Sequence, residues 1–130
     1  MPRAYTIATA GLALGIPVKW LDNTLSHHQI RGIHQEHQGV ARRLTIEGLL
    51  TLAIASLLIN ELGVTLASAL ELAQGISMSD GIHTSPAGVR IQLDLEALKV
   101  RLLEQLANAV EIAPSPKRGR PAKNKTGRLE

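Results

Sequence analysis

The stretch TIATAGLALGIPVKWLDNTL, residues 6 to 25, reads as two short helices broken by a tight turn. Thr6 carries a hydroxyl suited to cap a first helix running to Leu14, and Gly15 can end it by adopting the positive φ that residues with a Cβ avoid. Pro17 stands where a second helix begins, a position where its missing N–H costs nothing because the first amides of a helix have no internal acceptor. Ile7, Leu12, Ile16, Leu21 and Leu25 are the expected core positions, which leaves Lys19, Asp22 and Asn23 projecting from the second helix. Two short helices joined by a Gly-Ile turn have helix-turn-helix geometry.

Downstream, residues 26 to 43 lose the hydrophobic period, are rich in histidine and carry Gly32 and Gly39, as expected of a loop or a two-stranded wing. Helical signals return at Thr45, a cap for a helix reaching Leu62, with Ile46, Leu49, Leu50, Ala53, Ile54, Leu57 and Leu58 on a broad apolar face. Gly63 closes it. Thr65 caps a further helix expected to run to Ala73, with Leu66, Ala69, Leu70 and Ala73 inward and Gly75 as its end. Val89, Ile91 and Leu93 then alternate with Arg90 and Gln92 behind the turn material Ser85-Pro86-Ala87-Gly88, which predicts a small hairpin.

Asp94 can cap a last helix along which Leu95, Leu98, Leu102 and Leu106 repeat, followed by Ala109. Burial in a dimer interface is the expected fate of this stripe; packing onto the chain's own core is the alternative. Ala113-Pro114-Ser115-Pro116 ends the helix and opens a tail expected to be disordered. The expected organisation is thus a winged helix-turn-helix domain over 1–75, a hairpin plus dimerisation helix over 76–113, and a basic tail over 114–130.

A chain of 130 residues with 45% hydrophobic content can build one modest core. Cysteine is absent, which excludes disulfides, thiolate metal ligands and cysteine nucleophiles. The apolar runs 8–18 and 49–59 are too short or too interrupted for a membrane span or a targeting signal, so the expected location is cytoplasmic and nucleoid-associated. The net charge of +3 conceals an asymmetry. Arg3, Lys19, Arg31, Arg42 and Arg43 make the first third basic, eight carboxylates from Glu47 to Glu111 make the middle acidic, and six lysines and arginines make the tail basic again. Basic ends around an acidic middle suit a polyanion binder.

The order and spacing of Tyr5-Thr6-Ile7, Leu14-Gly15-Ile16, Arg42-Arg43-Leu44-Thr45 and Leu62-Gly63-Val64-Thr65-Leu66 resemble MerR-type winged helix-turn-helix regulators, over residues 5 to 74. The resemblance implies a mainly α fold with a winged helix-turn-helix, a small β-hairpin and a C-terminal dimerisation helix. It implies that the helix carrying Pro17, Val18, Lys19, Trp20 and Asn23 enters the major groove of double-stranded DNA, with Arg31, Arg42 and Arg43 meeting the backbone. Asp22, Asn23 and Thr24 stand where that family places an arginine and aromatic residues, so an ordinary solvated helix face is the competing reading of Lys19, Trp20 and Asn23.

Pro116-Lys117-Arg118-Gly119-Arg120-Pro121-Ala122-Lys123 resembles an AT-hook. By that resemblance Gly119, Arg120 and Pro121 lie in the narrow minor groove of A·T-rich DNA while Lys117, Arg118 and Lys123 meet phosphates. A strongly negative narrow groove favours an inserted arginine. The other reading is a generic solubilising tail. His27, His28, His34 and His37 are the one cluster suggesting a metal, and exposed or phosphate-facing histidines are the favoured interpretation. No catalytic motif and no cofactor site are legible, so an enzyme is not expected. The expected function is a homodimeric, sequence-specific transcriptional regulator; the alternatives are an architectural protein of A·T-rich DNA and an adaptor for a protein partner.

Overall fold

The computed structural model describes residues 4–35 and 41–112. The expected tail, His37 and Gly39 lie outside them. Among the described residues the chain is mainly helical with two small antiparallel sheets: β1 (Ala4–Tyr5), α1 (Ile7–Leu14), α2 (Val18–His27), β2 (Ile33–His34), β3 (Arg43–Thr45), α3 (Ile46–Leu62), α4 (Leu66–Met78), β4 (Ile82–Thr84), β5 (Arg90–Gln92) and α5 (Leu95–Ile112).

Local chemistry sets most of the boundaries. The Thr6, Thr45 and Thr65 side chains accept from the amides of Thr9, Gly48 and Ser68, satisfying donors that a helix start leaves unpaired. Asp94 Oδ1 does the same for the Ala97 amide at 3.1 Å. Gly15 ends α1 at φ 68° as the sequence predicts, and its amide reaches back to the Gly11 carbonyl. Pro17 is the residue before α2, which continues two residues beyond the expected end at Leu25, to His27.

α3 is the centre of the molecule. Leu49, Leu50, Leu52, Ile54, Ala55 and Leu58 are buried, and so is Thr51, whose hydroxyl donates to the Glu47 carbonyl at 3.2 Å. A helix buried on most of its circumference lacks the one-sided stripe of a surface helix, so its apolar face is wider than the expected set. α4 packs along it and α5 packs on α1 and α3.

Four expectations are corrected. α4 continues through Gly75 to Met78; a Cβ at Gly75 would stand 3.1 Å from the His83 ring nitrogen, so that glycine makes room for the neighbouring strand instead of ending the helix. The boundary expected after residue 75 therefore falls inside α4. Leu12 is half-exposed, and α1 instead buries the small residues Ala10 and Ala13, which lets two helices approach closely. Tyr5, in the string Tyr5-Thr6-Ile7 expected to open the first helix, lies in β1, paired with Leu44 of β3, and so precedes that helix. Val89 is exposed and β5 begins after it.

The leucine stripe of α5 also has a definite home. Leu102 and Leu106 are buried within the single chain, in one core with Ala10, Leu21, Leu44 and Leu52, while Leu95 and Leu98 are half-buried against it. Packing onto the chain's own core, the alternative weighed from sequence, thus accounts for the residues expected to meet a partner. Leu106→Ala is expected to destabilise the fold by about 2–5 kcal/mol, the range for deleting buried methyl groups, as read by urea unfolding.

Candidate nucleic-acid interface

The turn after α1 fixes how α2 is presented. The Ile16 amide donates to the Gly11 carbonyl at 2.9 Å, and a Cβ on Gly11 would lie 2.9 Å from the Ile16 oxygen, so α1 and the turn are in tight backbone contact. Leu21 and Thr24 are buried and Leu25 is half-buried, which fixes the inward side of α2. Lys19, Asn23 and Ser26, spaced by four and three residues, share the opposite face and are all exposed. The polar outward face expected from sequence is therefore present.

The flanks of that face differ. Pro17 and Val18 are exposed at its start. Trp20 borders a hollow shared with Gly15, Ile16, Ser56 and Ile59, so it stands on the side of α2 next to α3. Asp22 is on the opposite flank and receives an ion pair from Arg42, whose Nη2 also donates to Ser26 Oγ at 3.0 Å. The Arg42 side chain is only 14% exposed, against 61% for Asp22. The expectation that Arg42 meets phosphate is corrected to that extent: its guanidinium is held by α2, because a carboxylate and a hydroxyl one helical turn apart match two guanidinium nitrogens.

β2 and β3 form an antiparallel pair within the stretch expected to be a loop or a two-stranded wing, with β1 added on the other edge of β3. Leu44 is opposite both Tyr5 and Ile33, one row facing the core. The next register position sets His34 opposite Arg43, both exposed. Among the described residues neither Arg43 nor Lys19 makes an ion pair. Arg31 does: its Nε lies 3.1 Å from Glu47 Oε2, in a contact whose side chains remain 62% and 50% exposed. A pair so open to solvent is weak, about 0–1 kcal/mol, and leaves Arg31 accessible.

His27, His28 and His34 line one hollow with Ser26 and Arg42. The His27 ring is tied through Nδ1 to the Asn23 carbonyl at 2.8 Å. Among the described residues no three His, Asp or Glu side chains gather as a metal site would require. No helix among them is long and apolar enough to cross a membrane.

Comparison with protein families, characterised proteins and solved structures returns no match. The candidate interface is accordingly defined by its geometry alone: an outward helix face of Lys19, Asn23 and Ser26, a strand pair presenting Arg43 and His34, and Arg42 joining its strand to α2. Sequence reasoning missed the role of Arg42 and the place of Ser26 on the outward face of α2. The Arg42 partner Asp22 is 20 residues away, and no periodic signal links the two.

Proposed function

We propose that the chain is a double-stranded DNA-binding transcriptional regulator of winged helix-turn-helix type that acts as a homodimer. The observation that carries this reading is the solvent-facing row Lys19, Asn23 and Ser26 on α2, together with Arg43 exposed on β3, a cation free of ion pairs among the described residues. A helix of this diameter fits the major groove, asparagine can bond an adenine edge bidentately, lysine can reach guanine or phosphate, and arginine on the adjacent strand can hold the backbone. Neutralisation of Asp22 by Arg42 removes the acid that would otherwise repel phosphates from this face.

For the homodimer, α5 offers a different surface from the leucines expected at first. Val100, Leu103, Ala107 and Val110 are exposed and repeat at spacings of three and four. In a parallel pair of such helices, Lys99 of one copy would flank this seam opposite Glu104 of the other. Leu103→Glu is expected to shift the protein to monomer in sedimentation or light scattering while leaving the circular dichroism spectrum and melting temperature nearly unchanged. A protein already monomeric at high micromolar concentration would contradict the dimer.

The tail is proposed to bind A·T-rich minor groove through Gly119, Arg120 and Pro121, with Lys117, Arg118 and Lys123 on phosphates. Tethering to the folded domain raises its effective concentration at DNA. Truncation after Ala113 is expected to flatten the dependence of log affinity on log salt by about 0.9 for each phosphate that the tail neutralises. An unchanged slope would argue against the arm. This basic Gly-Arg-Pro string favours a second reading, an architectural protein with little sequence preference, which predicts equal affinity for a selected site and for random DNA of the same A·T content.

A further inference from the structure

We propose that Arg42 is a positioning residue of the DNA-binding surface, a strut that sets the angle between α2 and the β2–β3 pair by gripping Asp22 and Ser26, and that it makes no phosphate contact. The inference rests on the DNA-binding reading for its functional consequence. Arg42 immediately precedes β3, so its backbone leads into the strand pair while its side chain ends on α2. One guanidinium nitrogen meets the Asp22 carboxylate and the other donates to Ser26 Oγ, which in turn donates to the Asp22 carbonyl at 2.8 Å. The three groups form a closed set, and the Arg42 side chain as a whole is only 14% exposed. A group that binds a phosphate must turn its donors toward solvent; here both terminal guanidinium nitrogens are engaged by α2.

Two consequences follow. Asp22 is an acid on a surface meant to approach a polyanion, and the strut explains its presence: it anchors Arg42 and is neutralised by it. Lys19 and Arg43, each exposed and free of ion pairs among the described residues, then carry the backbone contacts. Arg42 and Arg43 are neighbours in the sequence with opposite roles, one turned in and the other out.

The test compares Arg42→Ala, Asp22→Ala, the double variant and Arg43→Ala of the full chain, on the best duplex from a random library and on random duplex, over a range of salt. Arg43→Ala is expected to weaken both duplexes alike and to reduce the salt slope by about 0.9. Arg42→Ala is expected to leave the slope unchanged and lower the ratio of selected to random affinity about tenfold, and the double variant to lower that ratio no further than the worse single variant, as coupled partners do. A slope reduced by Arg42→Ala as by Arg43→Ala, or additive losses in the double variant, would overturn the strut. If the unaltered chain binds no duplex even at low salt, the DNA-binding reading fails instead. The strut is then decided by melting temperatures: a double variant no less stable than the worse single variant upholds it, and losses that sum overturn it.

Discussion

Gly32→Ala is expected to lower the stability by about 3 kcal/mol or more, a large share of what holds a domain of this size together. Gly32 has φ 92°, and a Cβ there would lie 2.6 Å from the Gly48 amide nitrogen and 2.7 Å from Thr45 Oγ1. Both are fixed. The Gly48 nitrogen belongs to the first turn of α3, and Thr45 Oγ1 donates to the Gly32 carbonyl at 2.7 Å while capping that turn. The Thr45 amide bonds the same carbonyl at 2.9 Å. Unfavourable backbone costs about 1–3 kcal/mol and overpacking about another 1–3 kcal/mol, and domains of this size are stable by only about 5–15 kcal/mol. Gly15→Ala is the matched comparison: its φ is also positive at 68°, but nothing lies within 4 Å of the added Cβ, so the loss should stay near about 1–2 kcal/mol. Urea midpoints of the two variants check this. Equal losses would mean that the close approach of Gly32 to Gly48 does not seat the strand pair on α3.

Asn23→Ala and Lys19→Ala carry the largest expected effects on binding. Each is expected to weaken affinity for the selected site by about 1–3 kcal/mol, on the order of tenfold to a hundredfold, if its side chain bonds a base edge. Asn23→Ala should relax the preference at one base pair and leave affinity for random duplex unchanged, because asparagine carries no charge. Lys19→Ala should also reduce the salt slope by about 0.9 if it meets phosphate and leave the slope nearly alone if it reads guanine. Neither variant should alter folding, since both side chains are exposed. Fluorescence anisotropy with the selected and random duplexes separates these outcomes.

The parts of the fold that were legible in the sequence are those decided by local chemistry. Thr6, Thr45, Thr65 and Asp94 start helices because a short side-chain oxygen reaches the amide three residues on, a relation contained in four consecutive residues. Gly15 and Gly63 end α1 and α3 for equally local reasons. What was not legible depended on partners distant in the chain. Gly75 reads as a helix end until β4 is present to occupy the space that its missing side chain leaves. Leu12 reads as core because it is large, yet the close approach of α1 to its neighbours selects Ala10 and Ala13 for burial. The leucines of α5 show a stripe without saying what covers it, and α1 and α3 do so for Leu102 and Leu106.

The candidate site divides in the same way. The outward set Lys19, Asp22 and Asn23 followed from the helical period, and the buried positions Leu21 and Thr24 agree with its direction. The pairing of Asp22 with Arg42 did not follow, because basic residues near a turn carry no mark of whether they face inward or out. Arg42 and Arg43 look alike in sequence, and only the strand's alternation gives them separate directions.

The most direct test of the central claim is selection from a random duplex library at moderate salt, followed by sequencing, with the full chain and with a version truncated after Ala113. Sequence-specific reading by α2 in a dimer predicts that the truncated protein retains a defined inverted repeat. Enrichment for A·T content alone, abolished by truncation, would contradict it.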